Sequence, residues 1–230
     1  MFACCPLTEM DTLWHWFRQN AGYVVGLSAI VVILRWRHLD QKLRWLGLFI
    51  GVSVLGETVS HITAHVLHMN NLYLFHTYTL LEFNAIAWFY KQLFESFYPR
   101  WFVVGLMLFF TAFALLNSLY IQPVTGFHTY ALGLECLLII GLALLLYYQM
   151  LAEMKTDRLN TSPVFWINTG FLVYFAGSLF VFMLQNILLA QPNRDLGIVA
   201  GTIHRVVLLV LHVFISIGLW LSPARSQIYR

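Results

Sequence analysis

The chain has 230 residues, 60% of them hydrophobic and only 10% charged, with a formal net charge of +3 and a mean hydropathy of +0.74. A soluble domain carries about 25% charged residues, and a disordered chain is poor in apolar ones, so both classes are excluded. The 13 Lys and Arg form no basic stripe, which argues against a nucleic-acid partner. The class left is an all-α integral membrane protein in contact with the lipid bilayer.

About 20 apolar residues cross the hydrocarbon core as a helix. Seven stretches qualify in chain order: 14–36, 43–66, 72–94, 101–121, 127–151, 163–188 and 196–221. The first is interrupted by Arg18, Gln19 and Asn20, and Trp14, Trp16 and Phe17 before them read as an interfacial aromatic anchor. It lacks a small-residue cleavage site before Arg35, Trp36 and Arg37, so it reads as a retained span and not a signal peptide. Pro163 falls at the start of the sixth stretch, where the first helical turn tolerates it. The connections are short, so residues 1–230 are expected to form a single seven-helix transmembrane domain. Internal similarity between the two halves is close to nil, and no stretch has the central proline of a broken transporter helix. Three cysteines, two of them adjacent at Cys4 and Cys5, make no disulfide framework, and Cys136 reads as a small buried apolar residue.

Basic residues set the expected orientation. Arg35, Arg37, Lys42 and Arg44 follow the first stretch, Lys91 and Arg100 flank the third connection, Lys155 and Arg158 the fifth, and Arg225 and Arg230 end the chain. The connections after the second and fourth stretches hold no Lys or Arg, and that after the sixth has only Arg194. The bias puts the N-terminus outside and the C-terminus in the cytoplasm, with the plasma (inner) membrane as the expected location.

Ionisable groups are costly in hydrocarbon and face a bundle interior or a water-filled cavity. The second stretch carries Glu57, His61 and His65, each four residues apart and so along one helical stripe. The third carries His76, Tyr78 and Glu82; the fifth, His128 and Glu135; the seventh, His204 and Arg205, with His212 deeper. Gln185 and Asn186 lie near the outer end of the sixth. At a rise of about 1.5 Å per residue, Glu57, His61, Glu82, Glu135 and His204 fall roughly 9–15 Å below the outer surface. That shared depth predicts an outward-facing pocket, with His61, His65, His76, Tyr78, Glu82, His128, Glu135, His204 and Arg205 as its ligand-binding residues. The plainer counterpart is interhelical glue, with Arg205 neutralising one of the glutamates. For His15, His38 and His68, which sit at interfaces or in loops, the plainer role is the expectation. Aromatic residues such as Phe171, Tyr174 and Phe175 are expected to pack, and Asn84, Asn168 and Ser178 to hydrogen-bond between helices.

Three functions could use such a layer. The first is a sensor, which binds a small ligand from the outer side and passes a helix shift to a cytoplasmic signalling partner through differential affinity for two states. The second is a zinc-dependent membrane hydrolase, with His61, His65 and His204 as metal ligands and Glu57 or Glu82 as the catalytic acid or base. The third is a small-solute transporter, for which the bare inner half is unfavourable. Glu57-x-x-Ser60 ahead of His65, Glu82 in the third stretch and His204 in the seventh resemble, at a handful of positions, the seven-helix zinc hydrolases of the ceramidase and adiponectin-receptor superfamily. The resemblance implies zinc as cofactor. The chain departs from that pattern at three points: the Ser60 to His65 spacing is one residue longer, Glu82 stands for an aspartate, and Leu208 stands where the second histidine of the seventh helix belongs. Haem is a minor alternative, through histidines on facing helices. A retinal Schiff base needs a lysine within the bundle, and Lys42, Lys91 and Lys155 all fall at span ends. The sensor is the preferred expectation, because the hydrolase needs a ligand set that the residues do not quite supply.

Overall fold

In hydrocarbon no water satisfies the backbone, so an apolar chain of this kind must pair its amides within helices or a closed barrel. The computed structural model describes residues 21–94, 97–153, 159–190 and 194–222, without the side chains of 21, 65, 100, 185–190 and 194–195. Among these residues every regular element is helical. A short 3-10 turn, Ala21–Val24, leads into α1 (Val25–Arg35), and α2 (Gln41–His61) runs on into a π-helical turn, Ile62–Val66. Helix α3 is Leu72–Phe94, and α4 (Arg100–Leu116) again ends in a π turn, Asn117–Ile121. Helix α5 is Thr129–Glu153; α6 (Pro163–Ala190) follows a 3-10 turn at Leu159–Thr161, and α7 is Arg194–Leu221.

Local chemistry explains several of these boundaries. The Asp40 carboxylate accepts from the Gln41 amide at 2.7 Å and caps α2. Pro99 precedes α4 and Pro163 opens α6, positions where a missing N–H costs nothing. The far end of α2 closes with Leu67 N donating to Ile62 O at 3.0 Å, the wide i to i+5 bond of a π turn. His68 then turns the chain with a left-handed φ of 52°.

Five helical stretches are long and apolar enough to cross a membrane: Gln41–Ala64, Trp101–Ile121, Thr129–Glu153, Pro163–Leu184 and Leu196–Leu221. The first helix is apolar over the shorter Gly22–Arg35, and the part of the first predicted span before residue 21 lies outside the described residues. Helix α3 has 23 residues, about 35 Å of rise. It is not among the five apolar stretches, because it carries His76, Thr79 and Glu82, all of them buried. These three polar groups face protein.

The helices close into a ring. Helix α1 packs on α2, α2 on α3, α3 on α5, α5 on α6, α6 on α7, and α7 back on α1, while α4 sits outside against α3 and α5. Skipping α4 suits its composition. Its inward residues are Val103, Phe110 and Ala114, and Trp101, Leu108 and Phe109 are left exposed, as a lipid-facing helix requires.

One half of the ring is filled. Phe49, Phe89 and Tyr90 surround Phe171 with ring centroids 5.3, 6.2 and 6.0 Å away, within the usual range for aromatic pairs. The Tyr90 hydroxyl donates to Asn168 Oδ1 at 2.8 Å, and Asn168 Nδ2 donates to the Ala143 carbonyl at 3.0 Å. Beyond this core lies the basic end. There the Arg35 guanidinium donates to the Ser222 carbonyl, Arg44 Nε donates to Leu39 O at 3.1 Å, and the Lys91 ammonium stands 4.1 Å over the Trp88 ring.

Candidate functional site

The other half of the ring is hollow. A cavity of about 600 Å³ opens there, within the range of roughly 300–1,000 Å³ common for small-molecule sites. All six ring helices or their lead-in segments wall it, from Tyr23 before α1 to Glu57 on α2, Glu82 on α3, His128 before α5, Phe182 on α6 and Arg205 on α7. Helix α4 contributes no lining residue.

Two glycines let the wall close. A Cβ on Gly56 would stand 2.4 Å from the Tyr78 ring, so α2 and α3 meet there with nothing between them but the ring. A Cβ on Gly22 would stand 2.6 Å from Glu57 Oε2, so the carboxylate rests on the chain just ahead of α1. Small residues at such contacts are how apolar helices approach closely.

The polar lining falls into a mouth and a deeper wall. At the mouth, Glu57 and His61 are open to the cavity. Glu57 has His61 and Arg205 within electrostatic reach, and the His61 ring lies 6.0 Å from that of Tyr23. Opposite, His204 Nδ1 is hydrogen-bonded to Ser178 Oγ at 3.2 Å, and its ring packs 5.7 Å from Tyr174 and 5.0 Å from Phe182. The deeper wall is α3, where the Tyr78 hydroxyl donates to Glu82 Oε1 at 3.0 Å. Glu82 is 6% exposed and lines the cavity. Glu135 on α5 is 1% exposed, and its Oε1 has no hydrogen-bond partner; the charged group bearing on it is Glu82.

The histidines of α3 and the segment before α5 form a separate unit. The rings of His76 and His128 are 4.1 Å apart. His76 Nε2 lies 3.1 Å from the Gly126 carbonyl, which can only accept, so Nε2 carries a proton; in the neutral ring Nδ1 then accepts from Ser118 Oγ at 2.7 Å. His128 Nε2 pairs with Thr79 Oγ1 at 2.8 Å, and its buried Nδ1 has no partner. His128 lines the cavity; His76 stands behind it.

The structure thus gathers Glu57, His61, Tyr78, Glu82, His128, His204 and Arg205 around one space, and sets His76 and Glu135 just outside that lining. His65 belongs to the π turn by its backbone, and its side chain lies outside the described residues, as do those of Gln185 and Asn186. Of the three expected zinc ligands, His204 is engaged with Ser178 and His61 lies near Tyr23. Among the described residues no three His, Cys, Asp or Glu gather as a metal site would need. Sequence reasoning left several wall residues out of its ligand set. One is His212, whose Nδ1 lies 2.8 Å from Ser28 Oγ. That hydroxyl spends its proton on the Val25 carbonyl at 3.0 Å, so the His212 Nδ1 must donate. Thr79, Ser53 and Tyr174 were also missed; the signal that could have found their neighbourhood is the glycine pair, Gly22 and Gly56.

Compared with known protein families, characterised proteins and solved structures, the chain finds no match in any of the three.

Proposed function

We propose that the chain is a membrane protein of seven spans, N-terminus outside and C-terminus in the cytoplasm, which binds a small ligand from the outside and reports its presence to a cytoplasmic partner. The observation that carries this reading is the cavity, walled by six helices at one end of a ring whose other end is dry. Among the described residues, Arg35, Arg37, Lys42, Arg44 and Lys91 all lie at the opposite end from the cavity, which through the positive-inside bias supports the cavity end as the outer one. The seven-span count adds α1 and α3 to the five strongly apolar stretches: α1 with the residues before it, and α3 because its length suffices and His76, Thr79 and Glu82 are buried. A sensing role draws support from the π turn Ile62–Val66, since Ile62 and Ala64 both line the cavity; such turns recur at functional sites. A ligand touching α2, α3 and α7 together can favour one arrangement of these helices over another, which is what transmission requires.

Site-directed labelling tests the placement. In a Cys4→Ser, Cys5→Ser background, with Cys136 buried, Thr58→Cys on the cavity wall is expected to react with a membrane-impermeant maleimide on intact cells. Lys91→Cys at the basic end is expected to react only after permeabilisation. The reverse pattern overturns the reading.

A further inference from the structure

The charges around the cavity are unevenly shared. Arg205 is, with His61, His128, His204 and His212, one of the basic side chains of the described residues that line it, and both His61 and Arg205 lie within reach of Glu57. Farther in, among the described residues, the charged group bearing on Glu82 is Glu57, and the one bearing on Glu135, behind the wall, is Glu82. Around Glu82 stand groups that accept hydrogen bonds or can do so. The Tyr78 hydroxyl is bonded to Glu82 Oε1, which leaves its oxygen lone pairs as acceptors. One turn away on the same face of α3, Thr79 Oγ1 pairs with Nε2 of His128, a residue of the cavity wall whose Nδ1 is buried away from the space. Glu135 Oε1 is likewise buried, behind the wall. The rest of the lining is aromatic: Phe75, Tyr174 and Phe182 face the same space, and aromatic faces attract cations.

We propose that the cavity binds a small organic ammonium ion, its N–H groups directed to Glu82 and the Tyr78 oxygen on α3, and its apolar part laid against Phe75, Tyr174 and Phe182. This rests on the reading of the cavity as a ligand site. An ammonium supplies several donors and no acceptor, which matches the Glu82 carboxyl and the Tyr78 oxygen beside it; its positive charge answers Glu82, whose charged neighbour among the described residues is another carboxylate. A carboxylate or phosphate ligand would bring further negative charge beside Glu82 and find one guanidinium already facing Glu57. A divalent metal ion is less well matched, because no three His, Cys, Asp or Glu of the described residues converge, whereas an ammonium needs only one carboxylate and a few neutral acceptors.

The test uses the full chain in detergent and pairs of probes equal in shape but not in charge: butylamine with butanol, phenethylamine with 2-phenylethanol, and 3-phenylpropionate as the anion. Binding is read by calorimetry and by the rise in Tm. At least one amine is expected to bind about tenfold or more tightly than its alcohol, the step set by a charge-assisted hydrogen bond. Glu82→Gln is expected to remove that preference, the amine losing far more affinity than the alcohol. Tyr78→Phe, which keeps the ring against Gly56, should narrow it by a smaller factor and serves if the first variant fails to fold. No preference in any pair, a preference that survives Glu82→Gln, tighter binding of the anion, or the same stabilisation by Ca²⁺ or Zn²⁺ alone would each overturn the proposal. Failure here is separable from failure of the outward-pocket reading: Thr58→Cys labels from outside or does not, whichever probe the cavity prefers.

Discussion

The two halves of the ring are built from the same helices and solve opposite problems. Around Phe171, aromatic rings and the Tyr90–Asn168–Ala143 chain leave no space and no unpaired atom on Asn168. Around Glu82, the same α3, α5 and α6 stand about a cavity of roughly 600 Å³. Buried unpaired polar atoms occur in both halves, on Trp88 and Gln149 as on Glu135, so the contrast is packed rings against open volume. The difference teaches where mutations should be costly: stability is expected to depend on the filled half more than on the hollow one.

That division can be broken or sharpened by four measurements. Phe171→Ala should be the most damaging, at about 3–5 kcal/mol, the usual cost of truncating a buried aromatic, read as a large fall in Tm in detergent. Asn168→Leu should cost about 1–3 kcal/mol by stranding the Tyr90 hydroxyl and the Ala143 carbonyl. Adding Tyr90→Phe should recover part of that loss, which a double-mutant cycle resolves. Glu57→Gln in the hollow half should shift stability by only about 0–1 kcal/mol, since a pair open to the cavity gains little, and a fall as large as that of Phe171→Ala would erase the distinction between the halves. Leu108→Ala, on the exposed face of α4, should move the unfolding midpoint least, by about 0.5 kcal/mol or less.

Much of the scaffold was legible from hydropathy alone. From α2 onward, the helical segments begin and end within two residues of the predicted stretches, once the π turns are counted with α2 and α4. Spacing also found the stripe of Glu57 and His61 and the Tyr78–Glu82 pair, because neighbours four apart share a helix face. Lateral order was not legible. Apolar character says that a helix meets lipid but not which helices it stands between, so nothing in residues 101–121 put α4 outside the ring. Nor could spacing say that His128 lines the cavity while His76 and Glu135 lie behind it, since a few tens of degrees of helix rotation decide that.

The ring closes through α1 and α7, whose sequences are more than 150 residues apart. Chains are made from the N-terminus, and their early parts fold first. In the seven-span arrangement proposed above, Glu57 and Glu82 would reach the bilayer with α2 and α3 before Arg205, which is synthesised after all the other described helices. Until then the two glutamates must be kept from lipid by something else, whether protons, water or the insertion machinery. Docking of α7 is therefore the event that creates the chamber, and a defect in α7 should be felt first as retention or degradation of a newly made chain, before any question of what the finished protein binds.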